Sequence, residues 1–395
     1  MTEWIECTLD KLGEIVGGAT PSTKCEDYFG GSIPWITPKD LSSFKGRYIT
    51  SGERNITEKG LASCSAQMMP KDAVLFTSRA PIGYVAIASQ SVCTNQGFKS
   101  IVVNEKADPL FVYYLLKYNK DAIEAMGSGT TFKEVSGKTM RAVKVRIPLD
   151  VSYQKRIAAV LDSLDTKIEN NERINDNLEQ QAQSYFQELF VDNASPEWTT
   201  GTISDLGTVV GGSTPSKAKP EYYTESGIAW ITPKDLSINK SKFVSHGEND
   251  ITELGLRNSS ASLMPEGTVL FSSRAPIGYI AIAAGEVTTN QGFKSVVPKP
   301  EIGTPFVYFF LKNTLPVIEG MASGSTFKEV SGSTMKNVSA VIPDAETLAK
   351  FSDFCAPIFA QQRILEEQNQ SLATLRDNLL PKLMSGEIDV SAVQL

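Results

Sequence analysis

The sequence predicts an α+β protein made of two similar globular domains, separated by two long helices that pair as an antiparallel coiled coil. Two observations carry this prediction. An apolar stripe with coiled-coil spacing lies in the middle of the chain and returns at its C-terminal end, and an internal repeat of about 195 residues accounts for the rest. The order of domain, helix, domain, helix is therefore a pseudo-twofold internal repeat.

The central stripe runs over residues 154–190, where apolar side chains recur at alternating steps of four and three residues without Gly or Pro. Such a helix would be roughly 55 Å long and needs a partner, which the C-terminal segment supplies in the same register, with Asn369 matching Asn175. Two ordinary amphipathic helices in separate domains are the alternative, which the matched polar position disfavours. The predicted seam residues are Ile157, Leu161, Leu164, Ile168 and Leu178 in the first helix and Phe351, Ile358, Leu365, Leu372 and Leu379 in the second.

The repeat is visible as five blocks that return almost unchanged. They are 17–22 at 211–216, 35–41 at 230–236, 78–84 at 273–279, 94–100 at 289–295 and 131–137 at 326–332. Each copy mixes short β-rich runs, such as 74–76 and 84–87, with a helical run at 110–118 or 306–312. The predicted boundaries are 1–150 for the first domain, 151–191 for the central helix, 192–343 for the second domain with a linker at 192–200, and 344–395 for the C-terminal helix and tail.

Composition and charge limit the classes of function. The chain of 395 residues has a net charge of −7, but the first 150 residues hold 18 Lys and Arg against 16 Asp and Glu, so the acidity lies mostly on the helices. The near-neutral domains can each carry a basic face, although the chain alone is expected to bind DNA poorly. Five widely spaced cysteines, no signal peptide and no long apolar run predict a cytoplasmic protein with free thiols.

The sequence contains no recognisable catalytic or metal-binding motif. The single histidine, His246, has Ser51 as its counterpart in the first copy and is expected at the surface. Residues 136–139 resemble the end of a phosphate-binding loop, but Phe132 stands where that loop requires Gly, and Ser333 replaces the lysine in the second copy. An ATP-using enzyme is therefore disfavoured, and no metal site is expected.

The repeated blocks instead hold polar side chains that suit a nucleic-acid surface. Arg and Lys bind guanine or phosphate, and Asn and Gln bind adenine. The alternative is that the amides and glycines only hold loops together. The candidate DNA-binding residues are Lys39, Arg79, Asn95, Gln96, Lys99, Thr131 and Lys133 in the first copy and Lys234, Arg274, Asn290, Gln291, Lys294, Thr326 and Lys328 in the second.

The arrangement resembles the DNA-specificity subunit of type I restriction-modification systems. The most specific marks are Gly-Gly-x-Thr-Pro-Ser near each domain start, Trp-Ile-Thr-Pro-Lys-Asp-Leu, the 127–133 segment with its 322–328 counterpart, and the 379–388 segment. The resemblance covers essentially the whole chain. It implies two target-recognition domains held apart by two conserved antiparallel helices, in a subunit that is not itself an enzyme.

The resemblance also implies partners. Double-stranded DNA, two modification (methyltransferase) subunits and the restriction (translocase and nuclease) subunits would assemble on this chain, for DNA methylation and phage defence. S-adenosylmethionine, ATP and Mg²⁺ would be bound by those partners, and this chain would hold no cofactor. The alternative function is a non-catalytic scaffold with duplicated domains and no role in nucleic-acid binding.

The internal repeat leads to a prediction about the target. Two similar readers related by a twofold read similar sequences on opposite strands, so we expect an interrupted near-palindrome. Helices of roughly 55 Å would place the half-site centres about 10 base pairs apart. A difference between residues 45–47 and residues 239–241 is expected to make the two halves differ at one position.

Overall fold

The computed structural model describes residues 3–129, 133–274, 276–324 and 328–394. It divides into two compact units. The first unit comprises residues 1–170 and 369–395, and the second comprises residues 171–368. Each unit therefore contains one globular domain and a part of both long helices. The four segments predicted from the sequence instead kept each long helix whole.

The strands follow the same order in both domains. In the first domain they are β1 Trp4–Thr8, β2 Gly13–Gly17, β3 Phe29–Ile36, β4 Tyr48–Ile49, β5 Asn55–Ile56, β6 Val74–Ser78, β7 Ile82–Ala88, β8 Cys93–Thr94, β9 Lys99–Val103 and β10 Lys144–Pro148. In the second domain they are β11 Thr199–Thr202, β12 Gly207–Gly211, β13 Tyr223–Thr224, β14 Ile228–Ile231, β15 Phe243–Val244, β16 Asn249–Ile251, β17 Val269–Phe271, β18 Ile280–Ala283, β19 Thr288–Thr289, β20 Lys294–Pro298 and β21 Ser339–Ile342.

Short helices connect the strands, and two long helices follow the domains. The helices are α1 Pro38–Ser42, α2 Glu58–Ala62, α3 Pro109–Tyr118, α4 Lys120–Ala125, α5 Gly137–Ala142, α6 Val151–Gln187, α7 Ile203–Leu206, α8 Pro233–Ile238, α9 Glu253–Arg257, α10 Thr304–Gly320, α11 Gly332–Lys336 and α12 Ala345–Ser385. A π-helical turn, Glu188–Asp192, extends α6. The α+β class and the long helices are thus confirmed.

Each domain is organised around a mixed five-stranded sheet. The strand order is β2-β9-β6-β7-β4 in the first domain and β12-β20-β17-β18-β15 in the second. In both, the last strand pairs parallel with its neighbour, and the remaining pairs of the sheet are antiparallel. A smaller sheet, β5-β3-β8 or β13-β16-β14-β19, lies beside it, and the first and last strands of each domain form an antiparallel pair. The repeat in sequence is therefore a repeat in topology.

The main core of each unit lies between the five-stranded sheet and the helices. In the first unit, Phe76 and Ile101 of the sheet share a buried cluster with Phe111 of α3 and with Leu161 of α6. In the second unit, Phe271, Phe309 and Phe351 form the matching cluster. Burying aromatic side chains of this size is the main stabilising contribution to each unit.

Within each unit, the segments of α6 and α12 run antiparallel. In the first unit, Asp165 meets Arg376 while Tyr153, nearer the start of α6, meets Asp389, which follows the end of α12. In the second unit, the carbonyl oxygen of Asn175 accepts a hydrogen bond from Gln362, at 3.2 Å, while Tyr185, farther along α6, packs on Phe351, nearer the start of α12. The antiparallel pairing predicted from the two stripes is confirmed.

The predicted seam positions are buried or half-buried. Ile157 and Leu161 are fully buried in the core of the first domain, so they pack against the domain as well as along the helix pair. The buried residues on α12 include Phe351, Ile358 and Leu365. The half-buried positions are Leu164, Ile168, Leu178, Leu372 and Leu379.

Candidate nucleic-acid interface

The repeated blocks of the first domain meet in one place. We call this group of residues the contact cluster, and its members are Lys39, Glu53, Arg79, Asn95, Gln96, Lys99 and Glu134. The block that ends β3 supplies the start of α1, where Asp40 accepts hydrogen bonds from the backbone and side chain of Thr37, at 2.7 and 2.6 Å. The other oxygen of Asp40 accepts the backbone N–H of Glu53, at 2.7 Å, and Glu53 pairs with Lys39, also at 2.7 Å. This reciprocal cap is the reason for Thr-Pro-Lys-Asp at this point of the chain.

The Thr-Asn-Gln-Gly block forms a turn against the same corner. The Asn95 side-chain oxygen accepts the N–H of Gly97, at 2.8 Å, and the Asn95 backbone N–H donates to Ile36. Gly18 must be glycine, because a Cβ there would lie 2.1 Å from the carbonyl oxygen of Asn95. Gln96 is exposed and accepts a hydrogen bond from the hydroxyl of Thr20. The amide of Asn95 therefore shapes the turn, while Gln96 lies on its outer surface.

A glutamate joins the remaining two blocks. Glu134 lies 3.7 Å from the guanidinium of Arg79 and 3.7 Å from the ammonium of Lys99. Its backbone also forms an antiparallel bridge with Arg79. The Lys99 side chain is only 16% exposed, whereas that of Arg79 is 37% exposed. Arg79 can therefore reach a ligand, and Lys99 is largely occupied by the protein.

The second unit contains the same cluster. Lys234 pairs with Glu248 at 2.6 Å, the side-chain oxygen of Asn290 accepts the N–H of Gly292 at 2.9 Å, and Gln291 accepts from Thr214. The matching ion pairs are Arg274 with Glu329 at 3.0 Å and Lys294 with Glu329 at 3.7 Å.

Most of the candidate residues are thus brought together in each unit. Lys133 and Lys328 are exposed beside the matching glutamates. Thr131 and Thr326 lie outside the described residues. The assignment of these side chains to DNA contacts stays a prediction, and the exposed donors that fit it best are Lys39, Arg79, Gln96 and Lys133 with their counterparts Lys234, Arg274, Gln291 and Lys328.

Sequence reasoning missed the glutamates that organise these cations. Glu134 and Glu329 lie inside a repeated block, and Glu53 and Glu248 follow a glycine in both copies. Their recurrence in both copies was the sequence signal that could have identified these glutamates as part of the site. The carboxylates offset much of the positive charge, which accounts for domains that are near neutral although they present arginine and lysine together.

The expected difference at residues 45–47 is not at this cluster. Because β4 and β15 match, the counterpart of Arg47 is Lys242, one residue later than the range compared in the sequence. Arg47 is 6% exposed and donates to Thr166 and Glu169 of α6, at 2.8 and 3.2 Å. Arg47 therefore attaches the first domain to the helix and is not exposed to a ligand, whereas the half-site difference expected from residues 45–47 as a segment stays a prediction.

The described residues contain neither a cluster suited to a metal ion nor a helix suited to a membrane. Among them, no group of three or more His, Cys, Asp or Glu side chains is placed to hold a metal ion. His246 is exposed and lies 3.4 Å from Asp250. No helix in the described part of the chain is both long and apolar enough to cross a bilayer.

The fold defines a class of protein with two domains of one topology, each followed by a long helix. Residues 1–180 and 196–375 match the family described as the type I restriction modification DNA specificity domain. The chain belongs to this family. It is accordingly a specificity subunit of a type I restriction-modification system, a kind of subunit that recognises the DNA sequence, docks the partner subunits and is generally non-catalytic.

Individual relatives agree with this assignment. The chain is 31% identical over 429 residues to the type I restriction enzyme MjaIX specificity subunit of Methanocaldococcus jannaschii, covering 98% of this chain and 94% of that one. It is 24% identical over 372 residues to the HindI specificity subunit of Haemophilus influenzae, covering 73% and 80%. The crystal structure of a type I S subunit from M. genitalium has the same fold, with a TM-score of 0.59, 18% identity and coverage of 97% and 96%.

Proposed function

We propose that each contact cluster reads one half of a bipartite DNA target. The observation that carries this proposal is that both units build the same cluster from the same residues. Each has an arginine, at least partly exposed, beside a glutamate and an exposed lysine beside another glutamate. Arginine and lysine donors on ordered loops are the groups that contact guanine edges and phosphates.

The two half-sites should be similar, and their order in the target should be inverted. Similar side chains at matching places select similar base edges, and the inverted order follows from the twofold expected of the sequence repeat. The target is therefore proposed to be an interrupted near-palindrome.

The chemistry is assigned to the partners. Two modification subunits would bring S-adenosylmethionine and adenine methylation, and restriction subunits would bring ATP hydrolysis, Mg²⁺ and cleavage in the cytoplasm. The near-neutral domains support this division, because a reader with little net positive charge gains DNA affinity from subunits that surround the duplex.

DNA binding with and without the modification subunit tests the proposal. We expect weak binding by the chain alone and tight, sequence-dependent binding by the complex, measured by gel shift with target and scrambled duplexes. Equal binding to both duplexes by the complex would contradict a reading role and would favour the scaffold alternative.

Alanine substitution of Arg79 or Arg274 tests the cluster itself. A base-reading arginine should cost about 1–3 kcal/mol of binding free energy and relax the specificity at one base. Loss of a phosphate-binding arginine should weaken binding to all sequences alike and reduce the slope of log affinity against log salt concentration by about one. Unchanged affinity, specificity and salt dependence in Arg79→Ala would show that this loop is structural.

A further inference from the structure

The first domain has an exposed arginine at the edge of its contact cluster that the second domain lacks. Arg54 directly follows Glu53, the residue that pairs with Lys39. In the second domain, Glu248 pairs with Lys234 in the same way, but the next residue is Asn249. The two clusters thus agree up to this glutamate and differ at the residue after it.

The guanidinium of Arg54 lies over an aromatic ring. Its guanidinium carbon lies 4.4 Å from the ring centre of Phe29, and that ring packs edge-on against Trp35 at 6.0 Å. The indole N–H of Trp35 donates to the carbonyl oxygen of Ala19, in the repeated Gly-Gly-x-Thr-Pro-Ser loop. Stacking uses the face of a guanidinium and leaves its N–H donors in the plane. The ring therefore orients the donors of Arg54 without engaging them.

The space beside Arg54 can admit the edge of a base. Thr23, Glu26, Phe29 and Asn55 line an open pocket of about 640 Å³ together with Arg54. Within the described part of the chain, the buried side-chain oxygen of Asn55 accepts no hydrogen bond. That oxygen is enclosed by the protein, so what the open pocket offers to a base edge is the set of donors of Arg54, and guanine presents two acceptors on its major-groove edge.

The second domain is built differently at the same place. Tyr223 replaces Phe29, and its hydroxyl donates to the carbonyl oxygen of Pro215, at 2.6 Å. Asp250 replaces Asn55, and its carboxylate accepts the backbone N–H of Gly227, at 2.9 Å. Asn249 is exposed at the start of β16. The group presented here is a neutral amide rather than a guanidinium.

We infer that Arg54 and Asn249 are specificity-determining residues that make the two half-sites differ at one matching base pair. Arg54 would bind guanine in the first half-site through O6 and N7, and Asn249 would bind adenine in the second through N6 and N7. The inference rests on the proposed function, because it requires that the clusters read DNA. It offers a source for the expected half-site difference other than residues 45–47.

Methylation mapping of exchanged variants tests this inference. Wild type, Arg54→Asn and Asn249→Arg are each coexpressed with the modification subunit in a host without restriction, and methylated adenines are located by sequencing. In Arg54→Asn, we expect methylation of the original sites to fall roughly tenfold to a hundredfold and one base of one half-site to change. In Asn249→Arg, the matching base of the other half-site should change.

Arg146→Asn is the matched control. Arg146 is also an exposed, stacked arginine of the first domain, 5.3 Å from the ring of Trp4, but it donates to the carbonyl oxygen of Ser385 at the end of α12. Its target should equal that of wild type. Thermal unfolding of each variant checks the fold, and Asn249→Arg carries the test by itself if Arg54→Asn does not accumulate.

Three results would overturn the inference. An unchanged target in Arg54→Asn and Asn249→Arg would show that neither residue reads a base. A uniform loss of methylation in Arg54→Asn, with a smaller salt dependence of binding, would make Arg54 a phosphate contact. A target change in Arg146→Asn would show that the effect is not specific to the pocket. Failure of the proposed function would look different, because wild type itself would then methylate no defined sequence.

Discussion

The two units attach their domains to the long helices with the same sign of charge but with different surroundings. In the first unit, Arg47 is buried among carboxylates of α6: its Nε lies 3.3 Å from Asp162, its Nη2 lies 3.2 Å from Glu169, and Asp165 is 4.0 Å away. Burial raises the pKa of Asp162 and of Glu169 although Arg47 opposes the shift. The guanidinium therefore opposes the effect of burial on both carboxyl groups.

In the second unit, the matching Lys242 lies on aromatic rings. Its ammonium is 3.5 Å from the ring centre of Phe359 and 4.5 Å from that of Tyr308, and it pairs with Glu179 at 2.7 Å. Burial lowers the pKa of Lys242 to about 8. Glu179 also forms an ion pair with Lys312, at 2.5 Å, so this carboxylate does not depend on Lys242 alone for a positive partner.

The comparison shows that one position of a repeated fold can hold a buried cation in two ways. A guanidinium with five donors can satisfy several carboxylates at once, whereas an ammonium is a compact charge that also stacks on aromatic faces. Removing the cation should therefore be costly only where carboxylates depend on it.

The largest effect is expected for Arg47→Met. This change leaves Asp162 and Glu169 without their cation, and we expect a loss of about 3–5 kcal/mol in the stability of the first unit. Hydrogen exchange of peptides from the two units, read by mass spectrometry, separates a loss in the first unit from one in the second. A loss below about 1 kcal/mol would show that the carboxylates are solvated well enough without Arg47.

A smaller effect is expected for Tyr114→Phe. The hydroxyl of Tyr114 donates to the buried carboxylate of Asp165, at 2.7 Å, and the same carboxylate also accepts from Arg376, at 2.7 Å, a partner that the change does not remove. We expect a loss of about 1.5–3 kcal/mol, typical of a hydrogen bond to a charged group. Chemical denaturation of the variant and of Tyr308→Phe, whose hydroxyl lies 3.1 Å from Glu179, provides the comparison.

The alkaline pH dependence distinguishes the two cations. Lys242 has a folded-state pKa of about 8 against an ordinary value of 10.5. Between these values Lys242 is protonated in the unfolded chain but not in the folded one, so its contribution to the stability of the second unit should rise with pH, by on the order of 2 kcal/mol. Denaturation at pH 7.5 to 10.5 should show the stability of wild type rising by this amount relative to that of Lys242→Met. Parallel curves for the two proteins would place the pKa of Lys242 near its ordinary value.

The smallest effect at neutral pH is expected for Lys242→Met. Methionine has a similar length, can pack on Phe359, and leaves Glu179 paired with Lys312, so the stability should change by less than about 1 kcal/mol. Denaturation midpoints of this variant and of Arg47→Met, measured side by side, check the contrast directly. Equal losses in the two variants would contradict the distinction between the two buried cations.

The sequence predicted the parts of the fold that depend on pattern. The spacing of Ile157 and Leu161 indicated a helix with a buried face, and the repeated blocks indicated two domains of one topology. The attachment of the domains to the helices could not be predicted in this way, because a sequence shows that Arg47 and Lys242 are cations but not which distant side chains surround them. The repeated blocks did identify the residues of the contact clusters, yet they could not separate Asn95, which shapes a turn, from Gln96, which lies on the surface.

The central claim is that the two units present one reading surface twice. The most direct measurement is the wild-type target, found by sequencing methylated adenines in a host that carries this chain and its modification subunit. The account predicts two similar half-sites in inverted order, with an unspecified spacer and centres about 10 base pairs apart, differing at one base pair. Two half-sites of unrelated sequence would contradict the claim, and a continuous, uninterrupted target would contradict the two-reader arrangement as well.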